Sequence, residues 1–127
     1  MRMASVVSER STCSRLQVGA ILTKSSRILS TGYNGNIAGL PHCDHTEDSG
    51  PCRSAVHAEA NAILFAARLG MATEGSLLVS THEPCLECSK LIVNSGISEV
   101  WFENPYRDHA GVKLLRKAGV KVWQKTR

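Results

Sequence analysis

Two short stretches of the chain hold the residues best suited to chemistry: His57-Ala58-Glu59 and, twenty-five residues on, Pro84-Cys85-Leu86-Glu87-Cys88. One imidazole and two thiols are the three protein ligands of an open zinc centre. A carboxylate beside them is the base that such a centre needs to use water as a nucleophile. Cys85 and Cys88 are three apart, so on a helix they lie on one face, about 60° from each other. Pro84 just ahead of them suits a helix start. His57 and Glu59, two apart, would diverge in mid-helix and converge only in a first turn, where both side chains hook over the end. The pattern therefore predicts a metal held between two helix N-termini, whose positive ends also favour thiolates. Two thiolates neutralise the cation, so it acidifies water less than a three-imidazole centre would. Glu59 is accordingly assigned as a proton shuttle and not as a ligand. A lone C-x-x-C would fit a purely structural zinc; the His-x-Glu at a second helix start favours catalysis.

The elements that must position these groups follow from periodicity and punctuation. Residues 1–14 read as a short helix, and residues 17–23 and 27–33 as a hairpin around Lys24-Ser25-Ser26. Residues 34–56, rich in Gly, Pro, Asn, Asp and Ser, read as a long loop of the functional kind. A helix is expected over 57–69 with its apolar face at Ala60, Ile63, Leu64 and Ala67, ended by Gly70. A near-continuous apolar strand follows at 76–81. Next come a helix at 85–95 with Cys88, Leu91 and Ile92 on one side, a strand at 98–103, a helix at 109–118 and a last strand at 120–125. Strands alternating with helices after an opening hairpin imply one mixed five-stranded sheet sandwiched by helices, a three-layer α/β/α arrangement.

Composition bounds the rest. The 127 residues suffice for one domain, taken as 1–127, with a core that needs no staples. A net charge of +4 suits an anionic small molecule, and with aromatics at 5% it argues against a nucleic-acid partner. Five cysteines, two of them in the C-x-x-C, point to metal binding in a reducing compartment and away from a disulfide framework. No signal-peptide core or membrane-length apolar run is present, so a cytoplasmic location is expected, in a host cytoplasm if the chain is phage-encoded.

Four segments carry a family resemblance: Cys13-Ser14-Arg15-Leu16-Gln17-Val18-Gly19-Ala20, Thr31-Gly32-Tyr33-Asn34-Gly35, His57 to Leu64, and Thr81 to Cys88. The H-x-E and P-C-x-x-C pair is the signature of zinc nucleobase deaminases. The Gly-Tyr-Asn-Gly segment followed by Gly39, and the cysteine loop after it, resemble the deoxycytidylate (dCMP) deaminase branch of the cytidine deaminase superfamily, in its bacterial and phage form. That resemblance implies a cytidine deaminase-like fold and hydrolytic deamination of dCMP to dUMP, a reaction at the C–N bond of a cyclic amidine that feeds dTMP synthesis. It also implies a homo-oligomer, a hexamer or smaller, with dCTP and dTTP as effectors. Asn34 matches the family's sugar-binding Asn and Tyr106 a family tyrosine near sugar and base. Ala58 would offer its backbone N–H to the base carbonyl. Arg107 and Arg15 are candidates for the 5′-phosphate, which suits an Arg fork.

Cys13, Cys43 and Cys52 remain. With a nearby histidine, His45 favoured over His42, three sulfurs fit a closed four-coordinate zinc that would order the long loop. Two alternatives stand beside dCMP. One is deamination of another nucleotide or base, such as dCTP, 5-substituted dCMP or tRNA adenosine. The other is a zinc-stabilised interaction module without catalysis, against which the presence of Glu59 argues.

Overall fold

The computed structural model describes residues 1–43, 52 and 54–126. Its elements are α1 (Arg2–Ser8), β1 (Gly19–Lys24), β2 (Arg27–Tyr33), α2 (Ala58–Arg68), β3 (Leu77–His82), α3 (Leu86–Asn94), β4 (Glu99–Asn104), α4 (Ala110–Lys117) and β5 (Lys121–Gln124). The five strands form one sheet in the order β2-β1-β3-β4-β5. β1 pairs antiparallel with β2 and β3, and β3-β4 and β4-β5 are parallel, so the sheet is mixed as expected. The hairpin turns through Ser25 and Ser26, both at positive φ, the hand that matches the twist of the flanking strands.

α2, α3 and α4 cover one face, where Ala20, Leu22, Leu78 and Val100 meet Ala62, Ile92 and Leu115. α1 covers part of the other, with Ala4 on Ile21 and Val79. Helices thus lie on both sides of the sheet. No helix among the described residues is long and apolar enough to cross a membrane.

Three expectations need correction. α1 stops at Ser8 and does not run to residue 14. Beyond it the chain bends to meet the end of β2: the Thr12 N–H and Ser11 Oγ both donate to the Asn34 carbonyl, at 3.3 and 2.8 Å. α2 buries Ala58, Ala60, Ala62 and Ala66, while Leu64 and Ala67, expected on its apolar face, point outward. Close packing is the reason. A Cβ on Gly32 would fall 2.2 Å from the Ala58 carbonyl oxygen and 2.4 Å from the Ala62 nitrogen, so backbone meets backbone and only small side chains fit the seam. Similarly, α3 buries Cys88, Ser89 and Ile92 but leaves Leu91 exposed. The long loop after β2 is closed at its base by two hydrogen bonds between Gly35 and Val56, at 2.7 and 3.2 Å.

Candidate active site

His57 is the N-cap of α2 and Cys85 the N-cap of α3, so both stretches sit at helix starts, as the spacing argument requires. Non-helical backbone at a cap turns each side chain back over the helix end. The Cys85 sulfur caps α3 by accepting from the Cys88 N–H at 3.5 Å. His57 Nδ1 lies 3.5 Å from Cys85 Sγ and 3.4 Å from Cys88 Sγ. The three ligand atoms all fall within 4.8 Å of one another. Ordinary Zn–N and Zn–S bond lengths at a tetrahedral angle give N···S edges of about 3.5 Å. The spacing fits that ion.

Charge points the same way. Cys85 is held near 4, chiefly by the hydrogen bond from Cys88, with His57 helping and burial opposing. Cys88 is pushed upward, first by Cys85 and then by burial. One thiolate therefore forms readily and the second does not, because it would create a second buried anion beside the first. His57 is raised by its contact with Cys85. A dication relieves this frustration by accepting both sulfurs as thiolates.

Glu59, in the first turn of α2, is 4% exposed. Burial raises its carboxyl above the usual range. Ser80 Oγ, on β3, donates to its Oε1 at 3.0 Å and accepts from the His82 N–H at 3.3 Å. One carboxylate oxygen is thus engaged from behind, which fixes the rotamer. A group that ionises reluctantly yet is held in place is suited to take up a proton and give it back.

These groups open on a cleft of about 630 Å³ lined by His57, Glu59 and Cys85. Arg15, Asn34, Ala58, Tyr106 and Arg107 line the same cleft, so every residue singled out for the substrate reaches it. Arg15, Tyr106 and Arg107 are exposed at its rim, whereas Ala58 is fully buried. Asn34 differs in one respect. Its Oδ1 accepts from the Val18 N–H at 2.8 Å and its Nδ2 donates to the Leu16 carbonyl at 2.7 Å, so the side chain braces the entry to β1. One acceptor lone pair and one N–H remain available to a ligand.

Cys13, Cys43 and Cys52 form a second group whose sulfurs lie within 4.8 Å of one another. Burial and the two neighbouring thiols push Cys43 up to about 11. Cys52 is lowered; burial opposes this, but hydrogen bonds from Ala55, Ser54 and Cys43 prevail. His45 lies outside the described residues. His42 is described and does not join the three sulfurs.

Sequence reasoning passed over Ser80; a hydroxyl directly after the Leu77-Leu78-Val79 run of a buried central strand is the available signal. His82 and Glu83 also line the cleft and were not singled out.

A family profile described as "Cytidine and deoxycytidylate deaminase zinc-binding region" matches residues 1–104. The chain is 39% identical over 134 residues to ComE operon protein 2 of Bacillus subtilis, covering 98% of this chain and 68% of the relative. It is 32% identical over 166 residues to the deoxycytidylate deaminase of Enterobacteria phage T2, covering 97% and 88%. Among solved structures, the dCMP deaminase of cyanophage S-TIM5, in complex with dCMP and dUMP, superposes with a TM-score of 0.92 at 37% identity. The match covers 98% of this chain and 92% of that one.

Proposed function

This chain belongs to the cytidine and deoxycytidylate deaminase family, and from that premise we propose that it hydrolyses dCMP to dUMP and ammonia in a zinc-dependent reaction. The observation that carries the proposal is the meeting of His57, Cys85 and Cys88 at zinc-ligand spacing beside the buried carboxyl of Glu59. His57 Nδ1 and the two sulfurs would hold the zinc, which when bound would act as a Lewis acid on water near neutral pH.

The protein's own groups then handle protons and position. Glu59 takes a proton from the attacking water and passes it to ring N3 as the C4–O bond forms. It next takes the proton of the new C4 hydroxyl and delivers it to the exocyclic amino group; the C4–N bond breaks, ammonia leaves and C4 becomes the carbonyl of dUMP. Atoms balance as dCMP + H2O giving dUMP + NH3. Asn34 holds the sugar through the donor and acceptor that its bracing bonds leave over. The Ala58 N–H, in the first turn of α2 where amides lack helical partners, donates to the base carbonyl. Tyr106 flanks sugar and base, and Arg107 and Arg15 at the rim meet the 5′-phosphate.

The reading extends to a second, structural zinc on Cys13, Cys43 and Cys52, supported by the convergence of their sulfurs. It extends also to a homo-oligomer of six subunits or fewer, supported by Leu64 and Phe65 on the outer face of α2 and Leu69 at its C-cap, which are 58%, 44% and 68% exposed. Regulation by dCTP and dTTP is part of the same reading.

Steady-state deamination followed by ultraviolet absorbance tests it. The assay compares dCMP with cytidine, dCTP, a 5-substituted dCMP and a tRNA anticodon arm, with and without added dCTP or dTTP. Preference for dCMP is expected. Turnover of another substrate in place of dCMP would overturn the assignment.

A further inference from the structure

Glu83 and His109 meet beside the cleft, and neither is a ligand of the metal centre nor a residue assigned to the nucleotide. Glu83 links the end of β3 to Pro84, and its side chain is only 3% exposed. Both carboxylate oxygens accept from His109 Nδ1, at 3.0 and 2.9 Å. Burying a carboxylate is costly unless it is hydrogen-bonded, and this contact fixes the proton of His109 on Nδ1. His109 is the N-cap of α4, so it ends the stretch from Pro105 to Asp108 that carries Tyr106 and Arg107 on the cleft wall.

That stretch is pinned at both ends to the same strand. At its start, the Glu83 N–H donates to the Asn104 carbonyl at 2.8 Å, and Asn104 Nδ2 donates to the Thr81 carbonyl at 2.7 Å. At its end stands the His109–Glu83 contact. Just beyond, α4 starts flush against the ligand turn. A Cβ on Gly111 would lie 2.4 Å from the Pro84 carbonyl oxygen and 2.9 Å from the Cys85 carbonyl carbon. Between the pins, Pro105, Tyr106, Arg107 and Asp108 are exposed, so side-chain packing does little to hold them.

We propose that the Glu83–His109 pair is a latch that holds the loop 105–108, and with it Tyr106 and Arg107, in the position that receives the nucleotide. It sets substrate affinity and leaves the chemical step alone. The inference rests on the dCMP reading above. Both latch residues are positioning residues, acting through Tyr106 and Arg107.

The test uses the zinc-loaded protein and the variants His109→Ala, His109→Asn and Glu83→Leu. Asn presents Nδ2 at the same number of bonds from the backbone as the imidazole Nδ1, so it can keep the donor. His109→Ala is expected to raise KM for dCMP about tenfold and to leave kcat within about threefold. It should weaken dUMP binding by calorimetry in proportion, without loss of zinc. His109→Asn should recover most of the affinity. Trypsin cleavage after Arg107, read by mass spectrometry, should quicken in His109→Ala and slow again in His109→Asn, whatever the turnover. An unchanged KM in His109→Ala, a fall in kcat alone, or no recovery in His109→Asn would overturn the latch. If His109→Ala melts too low to assay, Glu83→Leu, which removes both acceptor oxygens at similar volume, must show the same rise in KM at constant kcat, or the latch is wrong. A wild-type protein inactive on dCMP would instead remove the deaminase reading, and the Arg107 cleavage rates would then decide the latch by themselves.

Discussion

Replacing Glu59 by Gln isolates the proton transfer from everything else in the site. The carboxamide has the carboxylate's shape, so Ser80 Oγ retains an acceptor where it now donates at 3.0 Å. Burial already disfavours the charged form of Glu59, so a neutral group in the same place adds no folding penalty, and Tm should move by no more than a few degrees. Glu59 is not one of the three converging ligands, so zinc content should hold at the wild-type value. What is lost is the capacity to accept and return a proton. General acid–base catalysis contributes roughly 10²–10⁴-fold. Here one carboxyl serves two transfers, to N3 and to the leaving amine, which places the effect at the upper end. The expected fall in kcat is about 10⁴-fold, or about 5.4 kcal/mol on the activation barrier. The assay is loss of dCMP absorbance, run beside zinc analysis on the same preparation. A variant within about tenfold of wild-type kcat would refute the shuttle role, and a variant that has lost its zinc would show Glu59 to be a ligand.

Metal analysis of the purified protein should give close to two zincs per chain. Cys88→Ser should remove one together with all turnover, whereas Cys52→Ser should remove the other and lower Tm; one zinc in the wild type would end the second-site proposal. Gly32→Ala forces a Cβ into the backbone of α2 and should destabilise by about 1–3 kcal/mol, several degrees in Tm, with a fall in activity because α2 carries both His57 and Glu59; a wild-type melt would contradict the close-packing account. Asn34→Ala breaks the two bonds to the β1 entry and should cost about 2 kcal/mol in denaturant unfolding as well as raising KM for dCMP. A rise in KM with unchanged stability would mean that the bracing bonds carry no weight.

How much of this was legible beforehand depended on whether local spacing or tertiary contact set each feature. The convergence of His57, Cys85 and Cys88 at two helix starts followed from residues two and three apart, because the rotation per residue of a helix leaves few ways for them to meet. The strand positions followed from β-branched and aliphatic runs. The buried face of α2 did not, because a large aliphatic such as Leu64 outweighs alanine in any hydropathy pattern. What decides that face is the close approach of Gly32, a residue from another element. Asn34 was read for its ligand role while its two bracing bonds went unseen, since they depend on how the segment before β1 folds back. Glu83 and His109 are twenty-six residues apart on separate elements, and no spacing rule links them.

The two hydrogen bonds that join Gly35 to Val56 have a bearing on how this chain can be altered. His57 comes directly after that closure, so its side chain takes its bearings from the β2 end and not from the twenty residues, 36–55, that lie between. Segments of other lengths could be spliced into that interval, provided Cys43 and Cys52 still reach Cys13, and the hydrolytic centre would keep its geometry. The interval is therefore the natural place to graft a reporter or a recognition element into this enzyme.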